Sequence, residues 1–293
     1  MKIKLLVACL LLAVSTAHAA VLESAAEGIK IPLTKKPTSR PMTMAFEPNY
    51  KRYFLADGGL GPIQDGNTIA ASKSEIHAFD ASGKYINSTQ QGLDNRSLYF
   101  NPNTNLLETA TYNISSGAGF TPDTGIFALE LDKEGNLTKQ RLEIATFNPA
   151  FGQHANCMPS YDPSENRYFS KQERSNKVLI VKLDKREPVA EIALDLEAAK
   201  VQSDDLSEYY VAYTGIPGEE LAALDVDHKA VLVFNLTGKF VGKSALPTTM
   251  KLRAQNHLNG LGYANGMMFV YHEPEGEFGV YYGFKISDQA VTQ

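Results

Sequence analysis

The chain has 293 residues, 43% of them hydrophobic, with 28 basic against 33 acidic residues and a net charge of −5. That apolar content excludes a disordered chain. The negative charge excludes sequence-independent nucleic-acid binding, which needs a basic footprint, and disfavours docking on anionic lipid.

Residues 1–20 read as a secretory signal. Lys2 and Lys4 form the positive start, Leu5 to Val14 the apolar run, and Ala17-His18-Ala19 a small-x-small cleavage signal. The apolar stretch is too short to span a bilayer, and no later segment is apolar enough. Leu6-Val7-Ala8-Cys9 looks like a lipobox, but too little apolar sequence precedes Cys9. Cleavage near Ala19 or Ala20 is expected, with a periplasmic or secreted product. Cleavage removes Cys9 and leaves Cys157 alone, so no intramolecular disulfide forms. Losing Lys2 and Lys4 from the 28 basic residues leaves 26 against 33 acidic ones.

Residues 21–37 form an N-terminal segment, in which Gly28–Leu33 is expected as a strand closing a ring with the last repeat. Residues 38–293 are expected as one domain built from internal repeats. One anchor is an apolar run, an Asp or Asn, and a turn: Ile76-His77-Ala78-Phe79-Asp80-Ala81-Ser82-Gly83-Lys84. It recurs at Phe127–Gly135, Val178–Asp184 and Val231–Lys239, and weakly at Tyr281–Ile286. From Phe79 through Leu131, Leu183, Phe234 and Phe284 the steps are 52, 52, 51 and 50 residues. A second anchor lies about thirty residues earlier each time, as in Met44-Ala45-Phe46-Glu47-Pro48-Asn49 followed by Arg52-Tyr53-Phe54-Leu55. Apolar, β-branched and aromatic runs make strands. Asn-Pro, Asp-Pro and Ser-Gly pairs make the turns between them. The first repeat predicts strands at Met44–Phe46, Tyr53–Ala56, Glu75–Phe79 and Tyr85–Asn87. Val178–Val181 and Val231–Phe234 are apolar without alternation, as strands buried on both faces are.

This pattern, from Phe46 to Ile286, resembles the β-propeller repeat proteins of the bacterial periplasm. The resemblance implies an all-β propeller of five four-stranded blades, the alternative being six with one degenerate. A β-sandwich or β-solenoid would use the same strands. Leu258-Asn259-Gly260-Leu261-Gly262-Tyr263 looks like the closing blade of glutamine-cyclotransferase propellers, but that family's opening motif is missing and the chain has no tryptophan. The Glu, Asn and Asp set of the calcium-binding lactonase propellers is not recognisable.

The turns fall into two classes. Short turns such as Glu47–Lys51 and Ala81–Gly83 belong at one end of the strands. Long connections, including Asp57–Ser74, Asn113–Thr124, Ser88–Asn95, Phe147–Asn156, Leu194–Ser207, Ala245–Leu258 and His272–Phe278, belong at the other. Long loops on a rigid scaffold carry function. Arg40, Asn95, Arg96, His154, Asn156, Asp204, Asp205, His257 and Asn259 precede the innermost strands and are expected to ring the mouth of the central channel as a ligand site. The leading expectation is a non-enzymatic protein binding a small ligand, a peptide or an envelope protein. The runner-up is a metal-assisted hydrolase, lyase or lactonase. There Asp204 or Asp205, with Asn95 and His154, would hold a divalent cation such as calcium, and His257 would act as base. Cys157 beside His154 lacks the surroundings of a cysteine nucleophile. Asp57-Gly58-Gly59-Leu60-Gly61-Pro62 lacks the Lys-Ser/Thr ending of a phosphate loop.

Overall fold

The computed structural model describes residues 20–33, 40–58, 74–111, 114–115, 119–120, 124–146, 148–152, 158–254, 260–273 and 279–289. Residues 1–19, where the leader is expected, residues 59–73 of the Asp57–Ser74 loop, His154, Asn156, Cys157, His257 and Asn259 lie outside the described residues.

The first strand, β1 (Val21–Pro32), precedes the repeats. The first repeat gives β2 (Arg40–Glu47), β3 (Arg52–Gly58), β4 (Ile76–Phe79) and β5 (Tyr85–Thr89), an antiparallel sheet in chain order. The four predicted strands fall on these four. β2 and β3 run further because pairing continues past the apolar residues, from Arg40 opposite Gly58 to Glu47 opposite Arg52. The second repeat gives β6 (Ser97–Asn101) and β7 (Leu106–Ala110). A two-residue hairpin follows, β8 (Ile114–Ser115) with β9 (Gly119–Phe120), and then β10 (Gly125–Leu131) and β11 (Leu137–Thr146). The third gives β12 (Ser160–Asp162), β13 (Arg167–Lys171), β14 (Lys177–Val181) and β15 (Ala190–Ala193). The rest of the chain gives β16 (Ala212–Tyr213), β17 (Leu221–Asp225), β18 (Ala230–Phe234) and β19 (Phe240–Ala245). β20 (Leu261–Ala264), β21 (Met267–His272) and β22 (Val280–Ser287) end it.

These last strands and β1 share an eight-stranded sheet in the order β16-β17-β18-β19-β1-β22-β21-β20. β1 pairs antiparallel with β22, from Val21 opposite Ser287 to Pro32 opposite Val280. Its pairing with β19 is the single parallel bridge Ser24–Ala245. The strand expected at Gly28–Leu33 therefore starts at Val21. Among its residues only Ile31 is fully buried, so apolar patterning could not reveal the rest.

The first strands of the repeats touch in a closed cycle: β2 meets β6, β6 meets β12, β12 meets β16, β16 meets β20, and β20 returns to β2. Sheets radiating from a closed ring of inner strands make a β-propeller, and closure removes exposed sheet edges. At the β20–β2 contact a Cβ on Gly262 would lie 2.7 Å from the Met44 carbonyl oxygen, so the approach requires glycine. The core fills the gaps between neighbouring sheets. Met44, Tyr53, Leu55 and Phe79 pack on Phe269, Tyr271, Tyr281 and Ile31. Ala110 and Ile126 pack with Phe151, Tyr161 and Tyr168. Phe169, Val178 and Ile180 pack with Leu221, Ala223 and Leu232. Among the described residues no helix is long and apolar enough to cross a membrane.

Candidate functional site at the long-loop end

The two ends of the strands use polar residues differently. At the short-turn end several buried or half-buried acids and amides cap their own turns. Glu47 accepts from the Asn49 and Tyr50 amides, Asn101 from the Asn103 amide, and Asp162 from the Ser164 amide. The Asp-x-x-Gly turns repeat one design. Asp80 accepts from the amides of Ser82 and Lys84, Asp132 from Glu134 and Asn136, and Asn235 from Thr237 and Lys239. Gly83, Gly135 and Gly238 take the positive φ that each needs, at 83°, 77° and 82°.

At the long-loop end, buried polar groups instead hold one another across distant segments. Asp57, at the end of β3, is fully buried. Its Oδ2 lies 3.0 Å from His77 Nε2 on β4, and its Oδ1 accepts from the Glu75 amide. His77 Nδ1 lies 2.7 Å from Ser88 Oγ on β5 and 4.0 Å from Glu75 Oε2. Ser74 donates to the Asp57 carbonyl and accepts from Asn95 Nδ2 at 3.0 Å. Thr109 on β7 donates to Asn95 Oδ1 at 3.2 Å. One continuous network thus joins His77, Asp57, Ser74, Asn95 and Thr109 across the first two sheets. Beside it, the fully buried Arg96 pairs with Asp94 at 3.1 Å. Unpaired buried polar groups cost more than hydrogen bonds return, so such a network fixes its members.

One ligand atom each from Asp57, Glu75 and His77 lies within 4.8 Å of the others. An imidazole with two carboxylates suits zinc better than calcium, which takes six to eight oxygens. Ser88, His77 and Asp57 also share the connectivity of a hydrolytic triad. Ser88, however, sits on the outermost strand of its sheet, and its hydroxyl is also bound to Tyr85 at 2.8 Å.

A second buried group stands where the third sheet meets the linker to β16. Lys171 is 2% exposed and donates to the Glu208 carbonyl at 3.0 Å. Burial pulls its ammonium down to about 8, against Glu208 and Glu173, whose charges push it up. Glu208 pairs with the exposed Arg174 at 3.4 Å. At the fifth repeat Arg253 grips Glu273 through two contacts of 3.1 and 2.9 Å and lies over the Tyr271 ring.

Of the residues expected at the channel mouth, Arg40 opens β2 opposite Gly58. Asn95 and Arg96 are buried rather than solvated. Asp204 and Asp205 lie in a single 3-10 turn, Ser203–Asp205, where Asp205 accepts from the Gln202 amide at 2.7 Å. Asp205 and Asn95 share no hydrogen-bond partner among the described residues; Asn95 bonds to Ser74, Leu93 and Thr109. The linker read as a long loop at Leu194–Ser207 also holds a one-turn helix, Leu196–Ala199, capped by Asp195. Sequence reasoning passed over Asp57, Glu75 and His77. The available signal was Glu75 and His77 two apart in a strand that is otherwise apolar, which puts both on one face.

No protein-family model and no curated protein sequence matches the chain. Among solved structures it is similar to the β-propeller domain of Cps50 (Swd1) from Myceliophteria thermophila. The identity is 10% and the TM-score 0.40, with 84% of each chain covered.

Proposed function

We propose that the chain is an exported propeller of five blades whose long-loop end binds a small ligand or peptide in the bacterial periplasm. The blade count is supported by the closed cycle of five first strands. On this reading the eight-stranded sheet divides at its one parallel bridge, and β1 supplies the outer strand of the last blade. Export is supported by the leader pattern of residues 1–20. The observation that carries the binding role is the buried network His77–Asp57–Ser74–Asn95–Thr109, which gives the end with the long connections a rigid polar floor. Rigid support beneath long connections is what ligand sites use. Hydrogen–deuterium exchange in the presence of amino acids, dipeptides and sugar acids tests it. Protection should centre on residues 90–97, 171–176, 207–211 and 251–254. Protection centred on 80–84, 132–136 and 235–239 would place binding at the opposite end and defeat the proposal.

A second reading, a metal-assisted enzyme, is favoured by the convergence of Asp57, Glu75 and His77. Calorimetric titration with zinc chloride tests it. The expected result is one ion per chain, lost on His77→Gln; equal uptake by both proteins would refute it.

A further inference from the structure

At the short-turn end, away from the proposed binding face, one buried acid has no turn to cap with its carboxylate. Glu219 lies in the connection between β16 and β17 and is 1% exposed. Its backbone is held on both sides: its amide donates to the Ile216 carbonyl at 3.0 Å, and Thr214 Oγ1 donates to its own carbonyl at 2.7 Å. The residue borders a cavity of about 340 Å³ lined also by Lys239, Phe240, Val241 and Gln289, and its carboxylate bonds outside its own turn. Lys239 is exposed to solvent. Oε1 accepts from Gln289 Nε2 at 3.3 Å and from the backbone nitrogen of Ala20 at 2.6 Å. Oε2 has no hydrogen-bond partner among the described residues. Ala20 is held in turn, its carbonyl accepting from the Asp288 amide at 3.0 Å.

A buried carboxylate met only by neutral amides is poorly compensated; it calls for a cation and for more protons than one amide supplies. Ala20 is also the residue that follows Ala17-His18-Ala19, the small-x-small pattern of a leader cleavage site. Two independent features, one in the sequence and one in the fold, thus meet at the same nitrogen. We infer that a leader peptidase cuts between Ala19 and Ala20, and that the new α-ammonium of Ala20 forms a buried ion pair with Glu219 that locks β1 into the sheet. The inference rests on the export reading above. Hydrolysis breaks the bond from the Ala19 carbonyl carbon to the Ala20 nitrogen. Water gives its hydroxyl to Ala19 and a hydrogen to Ala20; the acid so formed releases its proton and the amine takes one. The product amine carries one positive charge and three donors, where the peptide had a single neutral donor. Its other protons can serve Glu219 Oε2. The uncut chain has the strand but not the charge, so the last stage of sealing β1 follows processing.

The test starts from protein exported from a bacterial host with its own leader. Intact mass should give Ala20 as the first residue. A retained leader overturns the inference through its export premise, and any other first residue overturns it at the cleavage step. The lock is read separately by thermal unfolding of four proteins. One pair starts at Ala20 and one carries Gly-Ser before Ala20, each with and without Glu219→Gln. The substitution should change the unfolding equilibrium about tenfold more in the Ala20-initiated pair, as a charge-assisted bond outweighs a neutral one. Equal effects in both pairs overturn the lock while leaving cleavage and export standing. If Glu219→Gln does not fold, acylation of the Ala20 amine by a limiting amine-reactive ester decides. The folded protein should react at least tenfold more slowly than the unfolded one, and equal rates refute the pairing.

Discussion

Lys171 offers a direct check on how the long-loop end is built. Its ammonium is buried against the Glu208 carbonyl and is pulled down from 10.5 to about 8, chiefly by burial. Glu208 and Glu173 oppose that fall, and Arg174 pairs with Glu208 nearby. The sign of the linkage follows from proton counts. Below pH 8 folded and unfolded chains both carry the Lys171 proton. Between pH 8 and 10.5 the unfolded chain alone carries it, so stability rises with pH in that window. At about 1.4 kcal/mol per pH unit, raising pH from 8 to 9.5 adds about 2 kcal/mol. In a chain of this size that is roughly 4–8 °C in Tm. Lys171→Met removes the titrating group and should abolish the gain while sharing every other ionisation. Tyrosines whose ionisation is raised by burial, such as Tyr99 and Tyr281, oppose the trend only near pH 10 and affect both proteins alike. Urea unfolding of the two proteins at pH 7.5, 8.5 and 9.5 measures the difference in slope. Parallel curves, or a wild type that loses stability relative to the variant as pH rises, would refute a buried charged lysine.

Two substitutions probe the joint between the first two sheets. Asn95→Ala removes bonds to Ser74, Leu93 and Thr109 and strands buried partners. It should cost about 3 kcal/mol in denaturant unfolding, whereas a solvated residue there would cost under about 0.5. Gly58→Ala sets a Cβ 1.8 Å from the Asn95 carbonyl oxygen, a backbone atom that cannot turn aside. A loss of roughly 2–4 kcal/mol is expected, and a neutral result in thermal unfolding would mean that the sheets meet differently.

The short turns were legible in the sequence because their chemistry is local. Asp80 and Gly83 are three residues apart, and the one caps the turn in which the other takes positive φ. The same holds at Asp132 with Gly135 and at Asn235 with Gly238. These turns lie 52 and 103 residues apart, in keeping with the period of 50 to 52 read from the apolar anchors. Depth and distance were not legible. Asn95 and Arg96 read as polar linker residues, and nothing in their identity says that the chain folds over them. His77 meets Asp57 from 20 residues away, across a long loop whose composition gives no hint of where its ends return. β1 hides because an outer strand buries little: its alignment with β22 is set by pairing between residues 248 to 266 positions apart, not by an apolar pattern.

The repeats themselves supply a control for the Asp57–His77 pair. In three repeats a residue within one position of the end of the second strand donates its amide to a residue at, or just before, the start of the third. Asp57 donates to the Glu75 carbonyl, Thr111 to Gly125 and Gln172 to Lys177, so these positions are equivalent. Two residues earlier stand Leu55, Thr109 and Ser170, whose cross-strand partners are His77, Phe127 and Leu179. The fold therefore accepts Phe or Leu where the first repeat has His77, and Thr or Gln where it has Asp57. Replacing a buried polar pair by groups that suit the site is commonly neutral or stabilising by 1–4 kcal/mol. Asp57→Thr with His77→Phe should then fold with unchanged or higher stability while losing the zinc uptake proposed for the wild type. A loss of more than about 3 kcal/mol would instead mean that the pair is a structural requirement of the first repeat, as breaking a needed buried pair is. In that event neither the rigid polar floor nor the metal reading could count His77 as a residue kept for function.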